Sequence, residues 1–270
     1  MNLKARTLFG LVFAAGFGLL LAILILLHSS LAIIAEKTNE LDTRRAEETA
    51  QAAITTTIDN LTATLTDNAI WNGGQEEIYR NGIEPDWLYS TWGNKATDRN
   101  AYDGAFVLDG DYRILWGYID GKPYPGGSLA RFGAGFNALV KADPSQISSG
   151  ERVVVGLSET WKGPAIVGIS LIRRSDSGIA SLGTTRRYLV MTRHLTPAMM
   201  SPIGTTFGLA NLRLAASGEA VVPAKRLRSA AGDIGQLTWT PRKPGMEAAR
   251  AAAWGIRKVG GATALIILLF

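Results

Sequence analysis

Apolar and polar positions divide this chain into regions of different period. From Thr7 to Leu27 no charged residue occurs and almost every position is apolar. A run of that length crosses roughly 30 Å of hydrocarbon as a helix. It is longer than the roughly 7–15 residues of a signal-peptide core. After His28-Ser29-Ser30 the apolar character resumes in Leu31-Ala32-Ile33-Ile34-Ala35, so a retained anchor is expected. Glu36 to Ile70 then lacks both Gly and Pro. Within it Ile54, Ile58, Leu61 and Leu65 recur on one helical face with heptad character. That stripe suits either packing onto a domain core or the seam of a dimer stalk, and the seam is the expectation adopted.

Beyond Asn72-Gly73-Gly74 the pattern shortens, and Asn81-Gly82 with Pro85 closes a short helix. Ala105 to Leu108, Asp109-Gly110 and Tyr112 to Tyr118 predict a hairpin with an Asp-Gly turn. Leu129 to Lys141 predicts an amphipathic helix. Arg152 to Leu157, Pro164 to Ile172 and Arg187 to Arg193 are β-branched or aromatic runs that predict strands, the last two joined by a Ser- and Gly-rich loop from Ser175 to Thr185. Thr196 to Ile203 predicts a short helix with Thr196 as cap and Pro197 at its first position. Leu209 to Leu214 and Gln236 to Trp239 predict the last strands. After the Pro/Gly break of Thr240 to Gly245, Met246 onward is helical. The chain closes on the apolar run from Val259 to Phe270, read as the start of a second membrane helix cut short.

Successive hairpins between helices predict the α+β class, with one antiparallel sheet and a long N-terminal helix. The expected organisation is a cytoplasmic tip and first membrane helix (1–35), a stalk (36–70), a soluble domain (71–245), and an exit helix leading into a second membrane helix (246–270). Lys4 and Arg6 precede the first span, and the next basic residue is Lys37. Positive charge stays inside, so the soluble domain is expected outside the cytoplasm, periplasmic or extracellular, on an inner (plasma) membrane anchor.

Composition narrows the chemistry. The chain has no cysteine, which excludes thiolate metal sites and cysteine nucleophiles. The net charge of +5 is spread over separate basic pairs such as Arg173-Arg174 and Arg186-Arg187 and forms no footprint for nucleic acid. The histidines are His28 and His194, far apart in sequence and read as structural. No Gly-x-Ser-x-Gly elbow occurs. Gly133-Ala134-Gly135-Phe136-Asn137-Ala138 mimics a dinucleotide fingerprint, but it lacks the preceding strand and the later acidic residue. No cofactor or metal is expected. What stands out is an aromatic and polar cluster between Asp67 and Tyr118. Rings with polar edges suit a small-molecule pocket or a braced core. Trp71, Tyr79, Trp87, Trp92 and Trp116 are the candidate ligand contacts, with Asp103 beside them and Arg193 as a partner for an anionic ligand.

The run Asp67-Asn68-Ala69-Ile70-Trp71, with Tyr79, Asp86-Trp87, Trp92, Asp103 and Phe106-Val107-Leu108-Asp109, resembles the fourth class of CHASE domains. So does the close, Leu237-Thr238-Trp239-Thr240-Pro241 followed by Pro244-Gly245. The resemblance covers roughly residues 40 to 250. It implies a PAS-like or Cache-like sensor outside the cytoplasm, in a prokaryotic signalling receptor whose outputs are often GGDEF and EAL modules acting on cyclic di-GMP. Asn72-Gly73-Gly74 stands where family members often carry a further Asp. The expectation is therefore a homodimeric, membrane-anchored sensor of a small molecule, not an enzyme. A membrane-anchored protein-interaction domain is the alternative.

Overall fold

The structure, a computed structural model, describes residues 3–98, 101–142, 144–176, 185–216 and 218–269. Two compact units are present, Met1–Ala46 with Pro241–Phe270, and Glu47–Thr240. Helix α1 runs through both as one element, Leu3–Ala69. The absence of Gly and Pro after Glu36 removes the usual interruptions, and no break falls at the 35/36 boundary drawn from sequence. The most apolar window of α1 has none of its residues buried inside the protein, as a segment meant for lipid requires.

The larger unit is built on an antiparallel sheet. Its strands are β1 (Gly104–Leu108), β2 (Arg113–Ile119), β3 (Lys122–Pro123), β4 (Gly127–Ser128), β5 (Val154–Thr160), β6 (Gly163–Leu171) and β7 (Tyr188–His194). Their order is β3-β2-β1-β7-β6-β5, with β4 on β2. A second sheet, β8-β10-β9, joins β8 (Arg213–Ala215), β9 (Ala224–Ser229) and β10 (Gly232–Thr238). Helices and antiparallel sheet together give the α+β class expected.

Pairing of Phe106 with Val190, and of Val190 with Ile169, puts alternate residues of β1, β7 and β6 on one face. That face packs Phe106, Val167, Ile169 and Val190 against Phe136 and Val140 of helix α5 (Ala134–Ala142). The opposite face buries Ala105, Val107, Ile166, Leu189 and Met191. Here Leu65 of α1 occupies the space over Gly168, where an added Cβ would lie 2.8 Å from Leu65 Cδ2. The end of α1 is tied to the sheet by Arg173 N donating to Ala69 O at 3.0 Å.

This packing corrects the stalk expectation. Ile54, Leu61 and Leu65 are covered within a single chain, at 1%, 1% and 0% exposure, and Ile58 is half-buried. Ile54, Leu61 and Leu65 therefore serve intradomain packing, and of the four only Ile58 keeps a partly exposed side. The heptad spacing could not separate the two because a helix on a sheet and a helix on a helix bury the same narrow stripe.

Several elements differ from the sequence pattern for identifiable reasons. The helix expected over Leu129 to Lys141 is split: a single 3₁₀ turn, Leu129–Phe132, precedes α5. At the break Gly133 has φ +90° and lies so close to β5 that a Cβ would sit 1.9 Å from Glu159 O. Gly73 and Gly74 do not interrupt a helix but help form one, α2 (Asn72–Glu76). The Trp71 indole lies across them, and a Cβ on Gly74 would meet its Nε1 at 2.1 Å. Helices α3 (Pro85–Leu88) and α4 (Asn94–Asp98) follow, each joined to its neighbour through a π turn. Strand β9 escaped notice because Leu227 is the one buried position in its polar run. Most of the expected Ser175 to Thr185 loop lies outside the described residues. The later helices are α6 (Pro144–Ser148), α7 (Pro197–Thr206) and α8 (Pro244–Leu269).

Candidate ligand site

Asp103 precedes β1 and is held by the backbone on two sides. Its N–H donates to Thr192 O at 2.9 Å, and its carbonyl accepts from Asp120 N at 3.0 Å. The side chain is thereby directed at the end of β7. Oδ1 accepts from Thr192 Oγ1 at 2.9 Å and faces His194 Nδ1 at 2.9 Å, while Oδ2 accepts from His194 N at 2.6 Å. Beyond the ring, His194 Nε2 lies 3.0 Å from Thr160 Oγ1. The Thr160 hydroxyl spends its proton on Gly163 O at 2.8 Å. It also accepts from Lys162 N at 3.2 Å, so the His194 ring is held between the Asp103 carboxylate and the Thr160 hydroxyl.

Asp103 and His194 are 7% and 2% exposed, so this is a buried, hydrogen-bonded pair. Desolvation alone favours the neutral acid. Burial does push the Asp103 carboxyl up, but the hydrogen bond and charge of His194, with Thr192 in support, outweigh it and hold the group below its ordinary value.

A cleft of about 210 Å³ opens beside this pair. Asp103 and His194 form its inner wall, with Arg193 and Asp120 charged at its sides. Asp120 sits in a turn at φ +51° and contacts the Lys162 ammonium. The first residues of α7 form the remaining wall, through Thr196, Ala198, Met199 and Pro202. Thr196 caps α7 as expected, its Oγ1 accepting from Met199 N at 3.3 Å. Burial lowers the affinity of the Arg193 guanidinium for its proton, and the Asp103 charge works against that shift. A half-buried guanidinium beside a helix N-terminus favours a small anion, through charge-assisted bonds and the helix dipole. The flanking carboxylates of Asp103 and Asp120 restrict where such an anion can lie.

The structure divides the residues that sequence placed in one pocket. Asp103 and Arg193 meet in the cleft. The tryptophans do not line it. Trp71 and Trp87 stack with centroids 6.1 Å apart, and Trp87 meets Trp92 edge-on at 5.7 Å. Trp92 is fully buried, while Trp71 is 36% exposed. Trp116 is on β2 and stacks on Tyr118 at 6.3 Å, and Tyr118 meets Tyr89 at 5.1 Å. Tyr79 accepts a hydrogen bond from Arg187 N at 2.8 Å, and burial pushes its phenol up to about 12. The aromatic group supports the cleft at one remove: the Tyr102 hydroxyl donates to Trp92 O at 3.0 Å, and Asp103 follows Tyr102.

Asp120 and Thr160 went unmarked in the sequence, and His194 was read there only as structural. The signal that finds them is strand register, since β7 pairing aligns His194 with Ala165 and Thr192 with Gly104. The Asn72 position, where an acidic residue was expected by analogy, is a structural tie. Its Oδ1 accepts from Ser175 N at 3.0 Å and its Nδ2 donates to Asp176 at 2.9 Å. Among the described residues no group of three or more His, Asp or Glu is placed to hold a metal ion.

A family model described as CHASE4 domain matches residues 53–215. No curated protein matches the sequence. Among solved structures, the chain is similar to the extracellular domain of a protein described as a histidine kinase, vpHK1S-Z8, at 13% identity and TM-score 0.43, with 64% of this chain and 62% of that one covered. The chain thus spans less than two thirds of that structure. It is similar to a domain of a protein described as a sensory box/GGDEF family member from Vibrio parahaemolyticus, at 13% identity and TM-score 0.47, covering 72% of this chain and 75% of that one. It is also similar to the Vibrio cholerae LuxQ periplasmic domain, at 13% identity and TM-score 0.42, covering 73% and 98%. With a family model matched over more than half of its length, the protein belongs to the CHASE4 domain family of sensory input domains, which are not catalytic.

Proposed function

We propose that this chain is the membrane-anchored, extracytoplasmic input module of a prokaryotic signal-transduction protein, and that it senses a small anion in the cleft of Asp103, Asp120 and Arg193. Family membership and the apolar start of α1 support an anchored sensor. The observation that carries the ligand reading is the half-buried Arg193 guanidinium lining a polar cleft at the α7 N-terminus. Ligand binding would bias α1 and α8, the helices that leave the domain at either end. The resemblance supports cyclic di-GMP metabolism as the output and the inner membrane as the location, in a dimeric receptor.

The test is thermal unfolding of the full chain in detergent against a panel of small carboxylates and their neutral amides. A ligand at about 100 times its Kd adds roughly 2.7 kcal/mol, or about 5–10 °C for a domain of this size. The expected result is a rise in Tm with at least one carboxylate, lost in Arg193→Gln and absent for the amides. If no carboxylate shifts Tm, or the shift survives in Arg193→Gln, the reading fails.

A further inference from the structure

The lining of the Asp103 cleft holds more negative charge than a simple anion can tolerate. Besides His194, its ionisable side chains are two carboxylates, Asp103 and Asp120, and one guanidinium, Arg193. An anion drawn to Arg193 meets both carboxylates at close range, and like charges repel. A ligand that carries a positive group as well turns one of those repulsions into an attraction.

The two carboxylates are not equivalent. Asp103 is spent inside the fold, with Oδ1 on Thr192 Oγ1 and His194 Nδ1 and with Oδ2 on His194 N. Asp120 is tied to the sheet by its backbone N–H, and its side chain contacts the Lys162 ammonium. It therefore already receives one amine. A carboxylate has about four lone-pair sites, so it can receive another from the cleft side.

Strand register sets the distance from Asp120 to Arg193. Gly104 of β1 pairs with Ile119 of β2 on one side and with Thr192 of β7 on the other. Asp120 and Arg193 each follow those partners by one residue. Their backbones are thus two strand spacings apart, roughly 10 Å. The cleft of about 210 Å³ has room for about seven waters at roughly 30 Å³ each. A molecule of about six to eight heavy atoms, charged at both ends, matches that space.

Helix α7 supplies a donor and an apolar wall. Pro197 has no N–H, and Met199 N and Met200 N already donate to Thr196 O at 3.0 and 2.9 Å. Among the described residues this leaves Ala198 N–H as the open donor of the first turn, and Ala198 lines the cleft. The helix dipole adds to it. Met199 and Pro202 complete that wall with apolar surface.

We propose that the cleft takes its ligand as a zwitterion, a small α-amino acid with its carboxylate on Arg193 and Ala198 N–H, its ammonium on Asp120, and a short aliphatic side chain against Met199 and Pro202. The guanidinium fork suits the carboxylate because it binds both oxygens at once. The inference rests on the anion reading of the same cleft and narrows it to one ligand class.

The test is calorimetric titration of the full chain in detergent with L-alanine, N-acetyl-L-alanine, L-alaninamide, propionate and L-phenylalanine. L-Alanine is expected to bind at least tenfold more tightly than each of the others. N-Acetyl-L-alanine and propionate lack the ammonium, L-alaninamide lacks the carboxylate, and L-phenylalanine is too large. Asp120→Asn keeps the turn, since asparagine tolerates the left-handed backbone found there, at φ +51°. That variant should lose at least tenfold for L-alanine and nothing for N-acetyl-L-alanine, which levels the two. Arg193→Gln should weaken both. If N-acetyl-L-alanine or propionate binds the wild type as tightly as L-alanine, or if Asp120→Asn leaves the preference intact, the zwitterion falls while the anion reading stands. L-Phenylalanine binding as tightly as L-alanine contradicts this cleft as the seat of the amino acid. If L-alaninamide matches L-alanine, or no compound carrying a carboxylate binds, the anion reading falls and the zwitterion with it.

Discussion

Replacing Asp103 by alanine is expected to destabilise the larger unit by about 3–5 kcal/mol, because it removes the carboxylate that binds the buried His194 through both its ring and its backbone N–H. At roughly 2–4 °C per kcal/mol, Tm falls by about 6–20 °C. His194→Ala costs a similar amount by stranding the carboxylate, and the double variant costs clearly less than the two singles added. Asp103→Asn keeps the shape but puts an amide N–H₂ where Thr192 and His194 already donate, so it does not restore stability. The pH dependence has a definite sign. The Asp103 carboxyl is depressed in the folded protein. Its contribution is therefore fully present above the unfolded value of about 3.9 and is lost as pH falls through the lower folded value. Acid titration of unfolding should show this loss in the wild type and not in Asp103→Ala. Additive single-variant costs would mean that the pair is not coupled.

The second large effect separates core from surface within the aromatic cluster. Trp92 is fully buried, meets Trp87 edge-on and accepts from Tyr102 through its carbonyl. Trp92→Ala is expected to cost about 3–5 kcal/mol, the range for removing a large aromatic from a packed interior. Trp71→Ala removes a ring that is 36% exposed and should cost much less. Trp92→Phe should fall well below Trp92→Ala, since the Trp92 indole N–H is buried without a hydrogen-bond partner and phenylalanine removes that orphan. Chemical denaturation of the three variants, followed by circular dichroism, gives the ranking. Equal costs for Trp71→Ala and Trp92→Ala would remove the distinction between brace and core.

Much of the architecture was legible because it depends on local pattern. The charge-free run from Thr7, the Gly-free helix after it and the Asp-Gly hairpin each follow from the period or composition of a few adjacent residues. Asp109 shows how local that signal is: its Oδ1 accepts from Asp111 N and Arg113 N, closing the turn within five residues. The site was only half legible. Asp103 and Arg193 stood out as charges near apolar strands, and they do share a cleft. Their partners depend on the pairing of β1 with β7 and of β7 with β6, contacts that join residues about ninety apart, such as Asp103 and His194. No window along the chain contains that information. The tryptophans misled for the same reason. Density in sequence placed Trp71, Trp87, Trp92 and Trp116 together, but only the first three stack on one another, while Trp116 stands on β2 against Tyr118, which in turn meets Tyr89. Gly133 is a further case: its amphipathic surroundings read as one helix, and only the approach of Glu159 O shows why the helix must break there.

Hydrogen–deuterium exchange of the full chain, with and without the carboxylate that raises Tm most, tests the sensory site most directly. Protection is predicted to concentrate in the first turn of α7, at the end of β7 and in the turn at Asp120, with little change in α2 to α4. Protection centred on residues 71–93 would return the ligand to the tryptophan stack and contradict the polar cleft as the sensory site.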